Sequence, residues 1–339
     1  MTSDRFQEIT GRYAALSLAI IGDFCLDRYL EIDPVRGETS IETGLPVYNV
    51  TQVRSQPGGA GTVLNNLVAL GIGKIYPVGV AGQDGEGFEL IQALKAKPGV
   101  RLDHFIQTND RRTFTYTKPL VMEPGAPPRE LNRLDIKNWS ATPSPLQSQL
   151  IQHLQSLAGQ VDGLIFLEQV DVAETGVITE RLLKILGDLA RQNPGLLAMA
   201  DSRRGLRHFP PVIFKMNRTE LGRLLGCETE LNLEDVKASA SRLAVKNRQR
   251  VLVTLAEQGI LGADPDGAVC HVPCLPIRGE IDIVGAGDSV TANLVSALAG
   301  GATTLEAITL ANAAASVVIH QLGTTGSASP GQIREALWS

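Results

Sequence analysis

Short apolar runs rich in branched residues recur along this chain, separated by segments whose apolar positions repeat with the helical period. The first pattern predicts strands over 16–21, 75–80, 163–167, 196–200, 212–216 and 251–254. The second predicts helices over 60–70, 87–94, 179–191, 219–225, 233–245, 289–299 and 305–320, with Gly71 placed to close the first of them. Alternation of the two is the signature of βα units, so the expected fold class is α/β with a mostly parallel central sheet.

Two regions, about 28–53 and about 105–134, break this rhythm, and Thr113-Phe114-Thr115-Tyr116-Thr117 in the second alternates with the strand period. Strands of a smaller sheet are expected there, placed to close over a site as a lid and to pair between subunits. Residues 124–128 and 142–145 read as surface loops. The 339 residues suit one large α/β domain or two smaller ones, and 43% hydrophobic content is that of a globular chain. A net charge of −5 argues against nucleic acid or an anionic membrane as the main partner. Cys25, Cys227, Cys270 and Cys274 lack the paired spacing of a zinc site and read as buried thiols in a reducing compartment. No leader pattern and no apolar run of roughly 18 residues is present, which makes the cytoplasm the expected compartment.

Candidate chemistry concentrates in Asp282-Ile283-Val284-Gly285-Ala286-Gly287-Asp288-Ser289, ahead of the apolar run that starts at Val290. Glycines on either side of Ala286 allow a sharp turn that exposes backbone N–H groups, and the following helix adds its positive dipole end, which together make an anion nest. A carboxylate beside a bound phosphate makes chemical sense if Asp288 takes a proton from an attacking hydroxyl. The competing reading is that Asp288 caps the helix.

Other clusters divide in the same way. Pro57-Gly58-Gly59-Ala60-Gly61 opens a predicted helix, where glycines serve a ligand's approach or merely a turn. Asp23 and Asp27 follow the first strand, either facing a ligand crevice or standing as solvated loop acids. Asn217 and Glu220 have the types to order Mg²⁺, and equally the spacing of a capping box. Thr254 and Gly259 sit where a strand leaves into a loop.

Taken in order, these pieces resemble the ribokinase-like, or PfkB, family of carbohydrate kinases over nearly the whole chain. The match runs from Ile21-Gly22-Asp23 through Pro57-Gly58-Gly59-Ala60, Leu70-Gly71, Val78-Gly79, Gly82-Gln83-Asp84, Asn217 with Glu220 and Thr254 with Gly259 to Gly285-Ala286-Gly287-Asp288. Within that family the chain looks most like the heptose 7-phosphate kinase module of bacterial ADP-heptose synthesis. Gly22 to Tyr29, Leu45-Pro46-Val47, Arg133-Leu134-Asp135, Glu257-Gln258-Gly259, Ala311 to Ala315 and Leu322-Gly323-Thr324 carry that likeness.

The resemblance implies a ribokinase-like three-layer α/β/α domain over 1–339, with a small β-sheet lid at about 28–53 and 105–134 and a homodimer formed through it. It implies Asp288 as general base and Gly285, Ala286 and Gly287 as anion hole. Asp23, Asp27, Gly58, Gly59, Thr62 and Glu168 fall to the sugar, Asn217, Thr254 and Gly259 to ATP, and Glu220 to Mg²⁺. The implied reaction is transfer of the γ-phosphoryl group of ATP to a small sugar or sugar phosphate, foremost the anomeric hydroxyl of a heptose 7-phosphate. Three departures qualify this. Thr62 replaces an asparagine, Ile283 and Val284 replace polar residues before the anion hole, and for a chain ending at Ser339 any nucleotidyl-transfer step falls to another protein. A ribokinase- or fructokinase-like activity is the alternative, and a sugar- or nucleotide-binding protein without turnover is the alternative of another class.

Overall fold

The computed structural model describes residues 1–323 and 325–338, so Thr324 lies outside the described residues. An eight-stranded sheet runs in the order Val269–Val272, Ile260–Ala263, Val251–Thr254, Ile213–Asn217, Ala198–Ser202, Gly163–Glu168, Ser17–Gly22, Lys74–Val78. Pairing is parallel from Lys74–Val78 across to Val251–Thr254, and the last two strands add an antiparallel hairpin. Successive side chains on a strand point to opposite faces. Leu18 and Ile20 therefore enter a core with helices Ala60–Ala69, Ala286–Ala299 and Thr304–Val318. Ala19 and Ile21 enter the other core, with helices Ser144–Leu157, Glu180–Gln192 and Leu233–Asn247. Both faces are covered, which gives three α/β/α layers and explains the unbroken apolar runs.

The predicted strands and helices are all present, with boundaries that shift where they matter for the site. The strand expected at 196–200 is Ala198–Ser202, so Asp201 belongs to it. The helix expected at 289–299 begins at Ala286. The loop expected at 142–145 instead opens helix Ser144–Leu157, whose Pro145 lies in the first turn, where a missing N–H costs nothing.

A second, five-stranded sheet joins Phe24–Ile32, Val50–Gly59, Thr115–Val121, Arg129–Glu130 and Leu134–Ile136. Asp23 alone separates the first central strand from Phe24–Ile32, and Val50–Gly59 runs directly into helix Ala60–Ala69. These two covalent links hold the small sheet at the carboxyl ends of the large one. Gln56 reaches from it to donate to Thr325 Oγ1 at 3.0 Å, and Thr325 packs on Gly285. No helix among the described residues is long and apolar enough to cross a membrane.

Candidate active site

Gly285 is the N-cap of helix Ala286–Ala299, at φ +83°, a conformation that side chains disfavour. Asp288 consequently sits in the first turn and is not the cap, which corrects the capping reading. Its carboxylate has no hydrogen-bond partner among the described residues. The Ala286 N–H closes a turn onto Ile283 O at 3.2 Å, whereas the N–H groups of Gly287 and Asp288 belong to the helix's unpaired first turn. The anion nest therefore centres on Gly287 and Asp288, shifted along the chain from the expected Gly285-Ala286-Gly287.

Lys215, buried on strand Ile213–Asn217, projects beside this nest; a Cβ on Gly287 would stand 3.4 Å from its Nζ. The ammonium donates to Asp201 Oδ2 at 2.7 Å, and the Thr291 hydroxyl lies 3.1 Å from the same oxygen. Burial alone would push Lys215 towards neutrality, but Asp201 outweighs it and holds the charge. Burial, then repulsion from Asp201 and Asp27, lifts the Asp288 carboxyl from 3.8 to about 7, against the pull of Lys215 and Arg203. A carboxylate poised near neutrality with no internal hydrogen bond is suited to accepting a proton.

Across from Asp288, Asp27 lies on Phe24–Ile32 opposite Gln56, in the range of Lys118 and Arg133. Burial raises its pKa, and among the described residues its carboxylate also lacks a hydrogen-bond partner. Gly58 makes this arrangement possible, because a Cβ there would stand 2.5 Å from Asp27 Oδ2. At Gly59, φ is +57° and a Cβ would meet Asp23 O at 2.6 Å. The two glycines thus shape the wall around Asp27. Thr62, in the first turn of the following helix, is 2% exposed.

Two acids expected at the sugar are engaged elsewhere. Asp23 accepts from the backbone N–H groups of Gln169 at 2.8 Å, Val170 at 3.3 Å and Val177 at 2.7 Å. Its role is to tie the loop after strand Gly163–Glu168 to the first strand, and burial raises its pKa to about 6. Glu168 is 3% exposed and accepts from Ser202 and from Arg204 Nη1 at 2.7 Å. Through these bonds both carboxylates position loops. The cavities that Asp23 lines hold only about 20 Å³ each.

On the opposite side of the nest opens a cleft of about 750 Å³. Asn217, Thr254 and Gly259 line it, together with Ala286 and Gly287. Its walls are largely apolar, including Ile260, Ile277, Ile281, Ile283, Val290 and Ile319. Ile283, which departs from the expected polar type, is 72% exposed and forms part of this wall. A flat aromatic base fits such walls, with its phosphates directed to the helix N-terminus.

Residues 21–330 match the pfkB family of carbohydrate kinases. The chain belongs to that family. This carbohydrate kinase is 31% identical over 317 residues to the bifunctional protein HldE of Rhodospirillum rubrum, covering 94% of this chain and 61% of that protein. It is 30% identical over 311 residues to the HldE of Azorhizobium caulinodans, covering 91% and 61%. The chain thus spans about three fifths of the length of these curated relatives. Among solved structures, Escherichia coli phosphofructokinase-2 in complex with substrates and products superposes with a TM-score of 0.72 at 21% identity, covering 95% of this chain and 98% of that one. Arabidopsis thaliana ribokinase complexed with ribose and ATP gives 0.66 at 19% identity, covering 96% and 99%. These likenesses establish the ribokinase-like fold.

In this PfkB kinase the capping box at Asn217 is real. Asn217 Oδ1 accepts from the Glu220 N–H at 2.9 Å, and Glu220 Oε2 accepts from the Asn217 N–H at 2.7 Å. Glu220 is nevertheless close enough to Asp201 to feel its charge, and burial raises its pKa. Lys215, Asp201 and Arg203 were not among the expected site residues. A signal existed: Ile213-Phe214-Lys215-Met216 places a charge inside a buried strand, and a buried ammonium requires a partner.

Proposed function

We propose that this carbohydrate kinase transfers the γ-phosphoryl group of ATP to a hydroxyl of a sugar or sugar phosphate, foremost the anomeric hydroxyl of a heptose 7-phosphate. The observation that carries the reading is Asp288, a hydrogen-bond-free acid lifted to about 7, standing between the Asp27 wall and the apolar cleft. Similarity to the HldE proteins over most of the chain supports the heptose assignment.

In this account the adenine occupies the isoleucine-walled cleft past Thr254 and Gly259, and the phosphates lie on the Gly287 and Asp288 N–H groups beside the Lys215 ammonium. Asp27 and the backbone of Gly58 and Gly59 orient the sugar, with the buried Thr62 behind them. Asp288 takes the hydroxyl proton as the oxygen attacks in line, and Lys215 and the nest stabilise the negative charge of the transferring group. Among the described residues no three His, Cys, Asp or Glu side chains are gathered for a metal. Mg²⁺ keeps most of its waters and phosphate ligands and uses one or two carboxylates. Glu220, with an oxygen beyond its bond to Asn217, and Asn217 would hold those waters; the ion would neutralise phosphate charge.

The small sheet acts as a lid over the sugar in a single domain spanning 1–339, excluding water that would otherwise consume ATP. Its strand Val50–Gly59 ends the pairing order, with Val50 and Val53 exposed, and offers the surface for a homodimer. The test is sugar-dependent ADP release from MgATP across heptose 7-phosphate, fructose, fructose phosphates, ribose and nucleosides, with Asp288→Asn as control. Turnover with heptose 7-phosphate that vanishes in the variant is expected. Preference for an unphosphorylated sugar would overturn the heptose assignment, and Asp288-independent turnover would overturn the mechanism.

A further inference from the structure

A pocket of about 320 Å³ opens beyond the carboxyl ends of strands Gly163–Glu168 and Ala198–Ser202 and belongs to neither side of Asp288 described above. Arg203, Arg204, Arg207, His208 and Arg223 bring four guanidinium groups and an imidazole to its lining. Four glutamates also line it, but three have their acceptor capacity engaged at least in part. Glu168 bonds Ser202 and Arg204, Glu174 accepts the Glu180 N–H at 2.8 Å, and Glu220 accepts the Asn217 N–H at 2.7 Å.

The donors are less committed. Arg207 spends Nη2 on the carbonyls of Arg223 and Leu224 at 3.2 and 3.4 Å, and Arg204 spends Nη1 on Glu168. The side chains of Arg223 and His208 have no hydrogen-bond partner among the described residues. Unengaged N–H groups thus remain on Arg204, Arg207, Arg223 and His208, alongside the Glu180 carboxylate. Glu174, on the rim, is a non-glycine held at φ +64°, a strained conformation of the kind that functional loops retain. Leu183, Leu206 and Phe209 give the pocket an apolar floor.

We propose that this pocket binds the phosphate group of a small phosphate monoester, held by Arg223, His208 and the unspent N–H groups of Arg204 and Arg207. Arginine forks match phosphate oxygens with charge-assisted bonds, and the volume leaves room for a body of sugar size. Arg204 connects the pocket to Glu168, and Glu220 borders this pocket and lies within range of the Asp201 and Lys215 charges. The phosphate could belong to the far end of the acceptor or to a separate metabolite. The binding chemistry is the same in both cases, and it does not depend on the acceptor's identity.

Calorimetric titration of inorganic phosphate and glycerol 3-phosphate into the protein, with the nest filled by saturating MgADP, tests this directly. Arg223→Ala and His208→Ala lie outside the reaction machinery, and their melting temperatures report whether they fold. Binding that persists with MgADP present and weakens at least about tenfold in each folded variant is expected. No heat at about 10 mM ligand, binding abolished by MgADP, or binding indifferent to both variants would overturn the proposal. Two further arms separate the sources. If phosphate competes with a phosphorylated acceptor and Arg223→Ala raises KM for that acceptor alone, the phosphate is the acceptor's own. If phosphate and acceptor bind together and phosphate shifts the acceptor KM, it belongs to a separate metabolite.

Discussion

On one side of Asp288 the cleft holds about 750 Å³ and is walled largely by isoleucine, leucine, valine and backbone, whereas the cavities beside Asp23 hold about 20 Å³ each, closed in by side chains such as Phe114, Trp139 and Val170. The first is a preformed room whose shape follows from packed apolar side chains and a helix end. The second is nearly filled. The carboxylates around the two divide into two kinds. Asp23 and Glu168 are satisfied by loop backbone and neighbouring side chains, whereas Asp27 and Asp288 are not. The difference teaches where selectivity resides. Under the proposed function, a nucleotide is accepted by a surface that asks little of its donor pattern, while the sugar is read by the few groups left without partners.

The contrast breaks most visibly at Asp288. Asp288→Asn should lower turnover by roughly 10²–10⁴ with ATP affinity nearly unchanged, as steady-state kinetics and nucleotide titration would show. Next come the two aspartates on either side of the second strand's start. Asp27→Asn should cost roughly 10–100-fold in kcat/KM for the sugar and leave the melting temperature in place. Asp23→Asn should do the reverse, losing about 1–3 kcal/mol of stability by denaturant titration, because three backbone donors lose their charged acceptor. If both variants behaved alike, the division between locked and free carboxylates would fail.

Asp288 also leaves a mark on stability. Its folded pKa is raised, so the folded protein binds a proton there more tightly than the unfolded chain does. The stability cost is absent below the unfolded value near 4, accumulates as pH rises towards about 7 and is constant above that. Asp288→Asn removes the cost and should be more stable than the parent at pH 8, by on the order of 2 kcal/mol after solvent screening, and indistinguishable at about pH 4. The smallest effect is at Glu220. If it acts through Mg²⁺, Glu220→Gln should raise the Mg²⁺ requirement a few-fold, whereas loss of the capping box alone would lower the melting temperature at an unchanged Mg²⁺ dependence.

Much of this was legible in residue order. The alternating strand and helix patterns carried the layered fold, and the run from Gly285 to Asp288 pointed to the proposed reaction centre. The helix start was not legible, because the apolar pattern begins only at Val290 while the true start depends on a left-handed glycine at 285. Nor could Asp23 be told from Asp27. They share a type and lie four residues apart, and the donors that lock Asp23 come from a loop 146 residues away that parallel pairing brings alongside. Helix Ser144–Leu157 was hidden for a different reason. Leu146, Leu150, Ile151, Leu154 and Leu157 repeat with the helical period, but the prolines before them read as a loop. Lys215 was legible in principle, as a charge inside a buried strand.

The most direct test of the central claim is the pH dependence of kcat/KM for the sugar, taken from about pH 5.5 to about 8.5 for the parent and for Asp288→Asn. A base lifted to about 7 predicts that the parent's rate falls away on the acid side of neutrality, while the residual rate of the variant stays flat. A parent profile that is flat across the range, or an acid limb that survives in Asp288→Asn, would contradict it and move the proton to another group.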